Sequence, residues 1–444
     1  MISINYIIAL SKNFEVMFMK NLSRRSLFQY GIIAFLLLFT PVTIIIRKLR
    51  TRYNRYAWKD TPGKSISLPE ETRGQIGFCC SVSPDKKTIG IAGNVAMPQE
   101  VIEHKVDEIL LLWGLRPYLF LSANHNENNY DFTLIGKQIY NPTVIHGLAI
   151  SSTNQIAYIA GELPLKLPAT LNDLHKIASN KQSKEFLSLK KEVEKLQKAG
   201  NYPNKLYLLD YKTGFTKVIC TINESVKISR FYRSRGSRTL TWNHEGSEII
   251  FFDSKAIRSI DLQGNKKDLY IFEDSGLFSN IYCDVQNNLT FLRTGKKSMD
   301  GPSQMYNGEP ELITIDQSGK VLSTVPFPMY PGTFMFDESI FARIEENHIL
   351  CVEMMGEKNT HKAVLKIYPR MVNYDNYDWK DKTLVYEIYD PSRVQFYYQP
   401  VAFMEETKEA LIIKRRAMRG ELATPITLDN VDAPWVELRK IKLG

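Results

Sequence analysis

The sequence predicts an all-β body, a closed radial array of six small sheets with one helical insertion, preceded by one N-terminal transmembrane helix. Three observations carry the prediction. Residues 26–46, SLFQYGIIAFLLLFTPVTIII, contain no charged side chain. From Gly77 onward an apolar strand, a turn rich in Pro, Asp, Asn or Gly and a second apolar strand recur, usually answered by a third strand. Between Leu165 and Pro203 the apolar period changes to that of a helix.

Charge separates the two parts. The chain of 444 residues has a formal net charge of +9, from 57 Lys+Arg and 48 Asp+Glu. Residues 1–64 hold 11 of the basic residues against two acids, Glu15 and Asp60, leaving 46 of each sign in the rest. The basicity therefore belongs to membrane flanks, where Lys and Arg meet lipid headgroups, and no nucleic-acid partner is expected. The cysteines (Cys79, Cys80, Cys220, Cys283 and Cys351) lack the C-x-x-C spacing of a zinc or redox site and read as small buried hydrophobes.

The N-terminal segment is residues 1–25. Residues 1–18 are mildly apolar, and Met19 begins MKNLSRRSLFQYG, which reads like a natural translation start. The preceding stretch is thus expected to be an upstream extension or a loose interfacial segment. Ser23-Arg24-Arg25-Ser26-Leu27-Phe28 resembles the twin-arginine export motif, with Arg24 and Arg25 as the pair. The resemblance implies export of the body. Residues 26–46 would span roughly 30 Å as a helix, the thickness of a bilayer's hydrocarbon core. No A-x-A-like cleavage site comes after the span, so an uncleaved signal anchor is expected.

Orientation is contested. Arg47, Lys48, Arg50, Arg52, Arg55, Lys59 and Lys64 come after the span, against Lys12, Lys20, Arg24 and Arg25 before it. The positive-inside rule puts the body in the cytoplasm, whereas the twin-arginine motif puts it outside. The expectation is a single-pass inner-membrane protein with a periplasmic body, a cytoplasmic body being the alternative. Residues 47–75 read as a basic juxtamembrane linker, with Tyr53, Tyr56 and Trp58 at headgroup level.

Residues 76–444 form the β body. Its clearest copy is Thr239 to Asp253, TLTWNHEGSEIIFFD, then Ala256 to Gly264, with Gly246 suited to positive φ in the turn. Weaker copies begin at Phe78, Leu148, Ser279, Phe341 and Pro400, giving turn centres near residues 85, 154, 245, 287, 346 and 407. Six turn-centred copies suggest a propeller, with a sandwich as the alternative. The 239–264 copy resembles the repeat of TolB-like and WD-repeat-like β-propellers: aromatic, spacer, Gly, strand, then a strand ending Asp-x-x-Gly. Where that family has Ser or Pro-Asp-Gly, only Ser83-Pro84-Asp85 keeps it, and without the Gly. The resemblance implies a binding or scaffolding propeller and transfers no catalytic residue.

The insertion at about 165–203 is helical. Phe186, Leu189, Val193 and Leu196 share one helical face, Ser183 can cap the start and Gly200 the end. A rim-packed helix is expected, a partner-docking helix being the alternative. Residues 99–115 read equally as a second rim helix or as a run into a strand.

Chemistry is sparse. The histidines fall singly, and no zinc-hydrolase, haem, nucleophile-elbow, P-loop or dinucleotide signature occurs. No catalytic, metal or cofactor residue is assigned. Asp85, Asp253, Asp261 and Asp316 read as turn formers rather than calcium ligands. Two basic patches stand out, Arg230 to Arg238 (Arg230, Arg233, Arg235, Arg238, with interleaved aromatics) and Lys414 to Arg419. The first is a candidate for gripping an anionic surface, against a solvated loop. The expected function is a membrane-anchored binding or scaffolding propeller at the bacterial envelope, presenting loops to a protein partner or ligand. The competing class is a propeller enzyme, metal-dependent or glycan-acting, that uses channel carboxylates.

Overall fold

The computed structural model describes most of the chain from Gly63 to Leu443. Residues 1–62, 70–78, 95–116, 136–142, 163–172, 228–239, 295–309, 329–341, 371–383, 390–395 and 417–435, with a few shorter stretches, lie outside the described residues. Every described residue belongs to the second of two units, Ala57–Gly444. The expected span at 26–46 lies outside the described residues, among which no helix is long and apolar enough to cross a membrane.

The described strands form six four-stranded antiparallel sheets. A short strand, β1 (Lys64–Ile66), comes first in the chain but joins the last sheet. The first sheet is β2 (Cys79–Val82), β3 (Thr88–Asn94), β4 (Pro117–Asn126) and β5 (Asn129–Leu134). The second is β6 (Thr143–Ile150), β7 (Ile156–Glu162), β8 (Asn201–Asp210) and β9 (Phe215–Lys227). The third is β10 (Leu240–Trp242), β11 (Glu248–Asp253), β12 (Ala256–Asp261) and β13 (Lys266–Ile271). The fourth is β14 (Tyr282–Cys283), β15 (Leu289–Arg293), β16 (Glu311–Ile315) and β17 (Val321–Pro326). The fifth is β18 (Ala342–Ile344), β19 (His348–Glu357), β20 (Thr360–Pro369) and β21 (Leu384–Tyr389). The last is β22 (Phe396–Met404), β23 (Glu409–Arg416) and β24 (Val436–Lys442), completed by β1.

The sheets succeed one another around a cycle. β2 contacts β6, β6 contacts β10, β10 contacts β14, β15 contacts β18, and β18 contacts β22. β22 then contacts β2. The core divides accordingly: Ile249 and Phe251 pack with Ala149 and Ile159 of the second sheet, while Ile250 packs with Phe291 and Ile313 of the fourth. A strand buried on both faces has no polar side, which is why β11 reads EIIFFD instead of alternating. The same division recurs in β23, where Leu411 and Ile413 face the first sheet and Ala410 and Ile412 the fifth. This is an all-β propeller.

The last sheet joins the two ends of the described chain. Lys64 pairs with Lys440, Ser65 with Arg439 and Ile66 with Leu438. Ile66 and Leu68 enter the core shared with the first sheet. Residues 64–66, expected within the linker 47–75, are thus a strand of the body, which begins before residue 76. Three residues carry too little periodicity to reveal such a strand from sequence. The outer strands escaped for a related reason: β13 and β17 are largely exposed, so their apolar residues mark no buried face.

The insertion carries the helix α1 (Lys184–Ala199), and its last expected residues belong instead to β8. Ser183 caps it, its Oγ accepting from the Phe186 amide at 3.0 Å and its carbonyl from the Leu187 amide. Phe186 and Leu189 are buried, as their spacing predicts. The end signal at Gly200, and residues 99–115, lie outside the described residues.

Candidate functional site at the turn end of the ring

Antiparallel strands alternate in direction, so the connections of each sheet divide between the two ends of the ring. Turns from first to second strand are three to five residues long and fall at the six expected turn centres. They share an end with the short turns after β8, β12 and β16. The opposite end carries connections such as 95–116, 163–200, 295–310 and 417–435. The first end carries the short turns and one long connection, 370–383 between β20 and β21; the other end takes the remaining long insertions within sheets.

Acidic residues at the turn end shape turns. Asp85 Oδ1 accepts from Ser83 Oγ at 2.6 Å and from the Lys87 amide. Asp261 accepts from the amides of Gln263 and Asn265, and Asp316 from those of Ser318 and Lys320. These bonds hold Asp261 and Asp316 below the usual carboxylate range, the largest contributions coming from the Asn265 and Ser318 side chains. The fourth turn position takes positive φ at Lys86 (60°), Gly246 (71°), Asn287 (61°) and Lys408 (52°). Lys86 therefore occupies the position after Ser-Pro-Asp where the family has glycine.

Neighbouring turns are tied to one another. The His244 amide donates to Asn287 Oδ1 at 3.0 Å, and Asn287 Nδ2 donates to the Glu245 carboxylate at 3.1 Å, joining the third and fourth sheets. Asn280 Nδ2 donates to the Ile344 carbonyl and its Oδ1 accepts from the Ile344 amide at 2.7 Å, joining the fourth and fifth. Asn347 Nδ2 reaches Glu405 at 3.2 Å, joining the fifth to the last.

The most central link gathers three sheets. Glu345, between β18 and β19 and 8% exposed, accepts from the Phe403 amide of β22 at 3.2 Å. Its other oxygen meets Lys86 Nζ of the first sheet at 3.0 Å, and the same Nζ donates to the Phe403 carbonyl. Beside it, His348 Nδ1 lies 3.5 Å from a Glu405 oxygen and its ring sits edge-on to Phe403. Burial pushes His348 below its ordinary value of 6.5, with Glu405 opposing. Arg370 donates to the Glu345 carbonyl at 3.1 Å and lies over the Tyr282 ring. Cationic and anionic side chains here are committed to holding turns together.

The residues singled out from sequence fare unevenly. Arg24, Arg25, Arg230, Arg233, Arg235 and Arg238 lie outside the described residues. The second basic patch is corrected at its first member: Lys414 is wholly buried in β23, 5.8 Å from the Tyr398 ring centre, and is no surface charge. All five cysteines are thiols, and burial pushes Cys283 up to about 12. Among the described residues no group of three or more His, Cys, Asp or Glu is placed to hold a metal ion. Sequence reasoning missed Lys86 and Glu345; the lysine standing where the repeat has glycine was the available signal.

No family model and no curated protein matches the chain. Among solved structures it is similar to an oligogalacturonate lyase in complex with manganese, at 12% identity and TM-score 0.37, covering 83% of this chain and 78% of that one. A protein of unknown function from Dyadobacter fermentans is similar at 9% identity and TM-score 0.41, covering 86% and 98%. The polysaccharide lyase Uly1 is similar at 7% identity and TM-score 0.36, covering 83% and 78%. Likeness this weak transfers neither substrate nor chemistry.

Proposed function

We propose that this chain is a binding propeller held at the bacterial inner membrane by residues 26–46, with one blade per sheet and its body in the periplasm. The loop-bearing end of the ring presents the partner-binding surface. The supporting observation is the unequal construction of the two ends. At the turn end short turns are cross-linked by side chains such as Asn287, Asn347 and Glu345. At the other end the segments 95–116, 163–200, 295–310 and 417–435 interrupt otherwise regular sheets. Insertions in a rigid scaffold are where recognition residues concentrate, because their sequence varies without disturbing the core.

A photo-crosslinking amino acid introduced in turn within 417–435, within 295–310 and at Thr407 tests this. Cross-links to a discrete protein from the first two positions and none from Thr407 are expected. Equal cross-linking from Thr407, or none from any position, overturns the reading. An enzymatic reporter fused after Gly444 reads the side of the membrane separately.

A further inference from the structure

Arg343 lies at the middle of β18, the innermost strand of the fifth sheet, paired in register with Leu350. Its neighbours Ala342 and Ile344 enter the core shared with the fourth sheet. Strand alternation turns Arg343 to the opposite side, away from that core. The guanidinium lies near the Glu345 carboxylate and near Cys80 of β2, a strand that lies beyond the last sheet around the cycle. Arg343 therefore reaches into the centre of the ring.

Its charge is not balanced by the lock beside it. Glu345 is bound by Lys86 and by the Phe403 amide, so the cluster of Lys86, Glu345 and Arg343 keeps one net positive charge. Arg343 Nε is buried and, among the described residues, donates to no acceptor. The residue as a whole is half-buried. Burial holds the guanidinium below its ordinary value, with Glu345 acting the other way, but arginine stays protonated in proteins. A buried N–H without an acceptor costs about 1–3 kcal/mol, so a fold that retains one gains from any acceptor that enters. The Nε–H and an Nη–H of one guanidinium point in parallel and match the two oxygens of an oxyanion.

We propose that the centre of the ring is an oxyanion site in which Arg343 grips a carboxylate or phosphate group of a small ligand side-on. Cys80 lies next to the bound group and Lys86–Glu345 walls it on the turn side. This site is separate from the loop-bearing end and stands whichever partner that end meets.

Full-length protein, purified in a mild nonionic detergent, is titrated calorimetrically with sodium phosphate and with sodium acetate at constant ionic strength against chloride. Saturable binding of one anion per chain is expected for at least one of them, weakened about tenfold or more in Arg343→Gln. Arg343→Lys, which keeps the charge and loses the fork, should bind measurably but more weakly. The wild-type protein supplies a second readout needing no variant: the anion that binds should slow iodoacetamide alkylation of Cys80, followed by peptide mass spectrometry, and leave Cys220 unaffected. Binding that survives Arg343→Gln overturns the proposal. So does a wild-type protein that binds neither anion saturably with Cys80 alkylation indifferent to both, the result expected of a purely structural arginine.

Discussion

Lys86 and Glu345 are separated by 259 residues in the chain and meet at 3.0 Å, with the Phe403 main chain held between them. One carboxylate thereby ties the first, fifth and last sheets together where the ring returns on itself. The carboxylate is nearly buried while the lysine is a third exposed, so the pair lies between a surface ion pair and a buried one.

Removing the lysine should matter more than neutralising the acid. Lys86→Met removes the ion-pair partner of a buried carboxylate and leaves the Phe403 amide as its hydrogen-bond donor, and should cost about 1–3 kcal/mol. Glu345→Gln retains an acceptor for that amide and should cost less. Urea denaturation of both variants checks the order, which reverses if the carboxylate's charge is incidental.

Two lysines at left-handed positions should respond oppositely to glycine. Lys408 is exposed with φ 52°, so Lys408→Gly relieves backbone strain and should raise stability by up to about 1 kcal/mol. Lys86→Gly relieves comparable strain but forfeits the ion pair, and should lower stability. Paired melting curves read the difference in sign.

The closing strand should be sensitive to a single methyl group. Gly63 has φ +92°, and a Cβ there would collide with the Lys440 carbonyl oxygen. Arg439 Nη2 donates to the Gly63 carbonyl at 2.6 Å while its Nη1 pairs with Glu437. Gly63→Ala should therefore cost about 1–3 kcal/mol. Deleting residues 1–67 should cost more than deleting 1–56, because it removes β1 and the buried Ile66, worth about 1.5–3 kcal/mol by itself. Denaturation midpoints of the two truncated chains make the comparison.

Stability should fall on mild acidification, through His348. Burial holds its folded value below 6.5 and Lys86 adds to the effect, while Glu405 and Glu345 oppose it. The unfolded chain therefore takes up the proton first. Stability from this group is present above pH 6.5 and is lost as pH falls from there through the lower folded value. His348→Gln should flatten the dependence of the urea midpoint between about pH 7 and pH 5. Glu405→Gln should steepen it, since the opposing carboxylate is gone.

Legibility from sequence tracked burial. Inner strands such as Glu248–Asp253 and His348–Glu357 announced themselves because two packed faces demand near-continuous apolar residues. Outer strands such as Lys266–Ile271 pack on one face at most and left no comparable pattern. The Ser183 cap and the Phe186–Leu189 face of α1 were readable because helix signals are local. Lys414 misled, because a lysine enclosed by β23 and Tyr398 looks in sequence like any charge beside arginines.

Local sequence was enough to specify the repeating turns, the all-β body, the helical insertion and the partition of charge toward the N-terminus, since each depends on neighbours a few residues apart. Two pairings needed the folded ring: Lys64–Ile66 completing the last sheet, and Lys86 meeting Glu345. Those pairings join residues hundreds of positions apart. They arise from closing the ring, an event that no local propensity encodes.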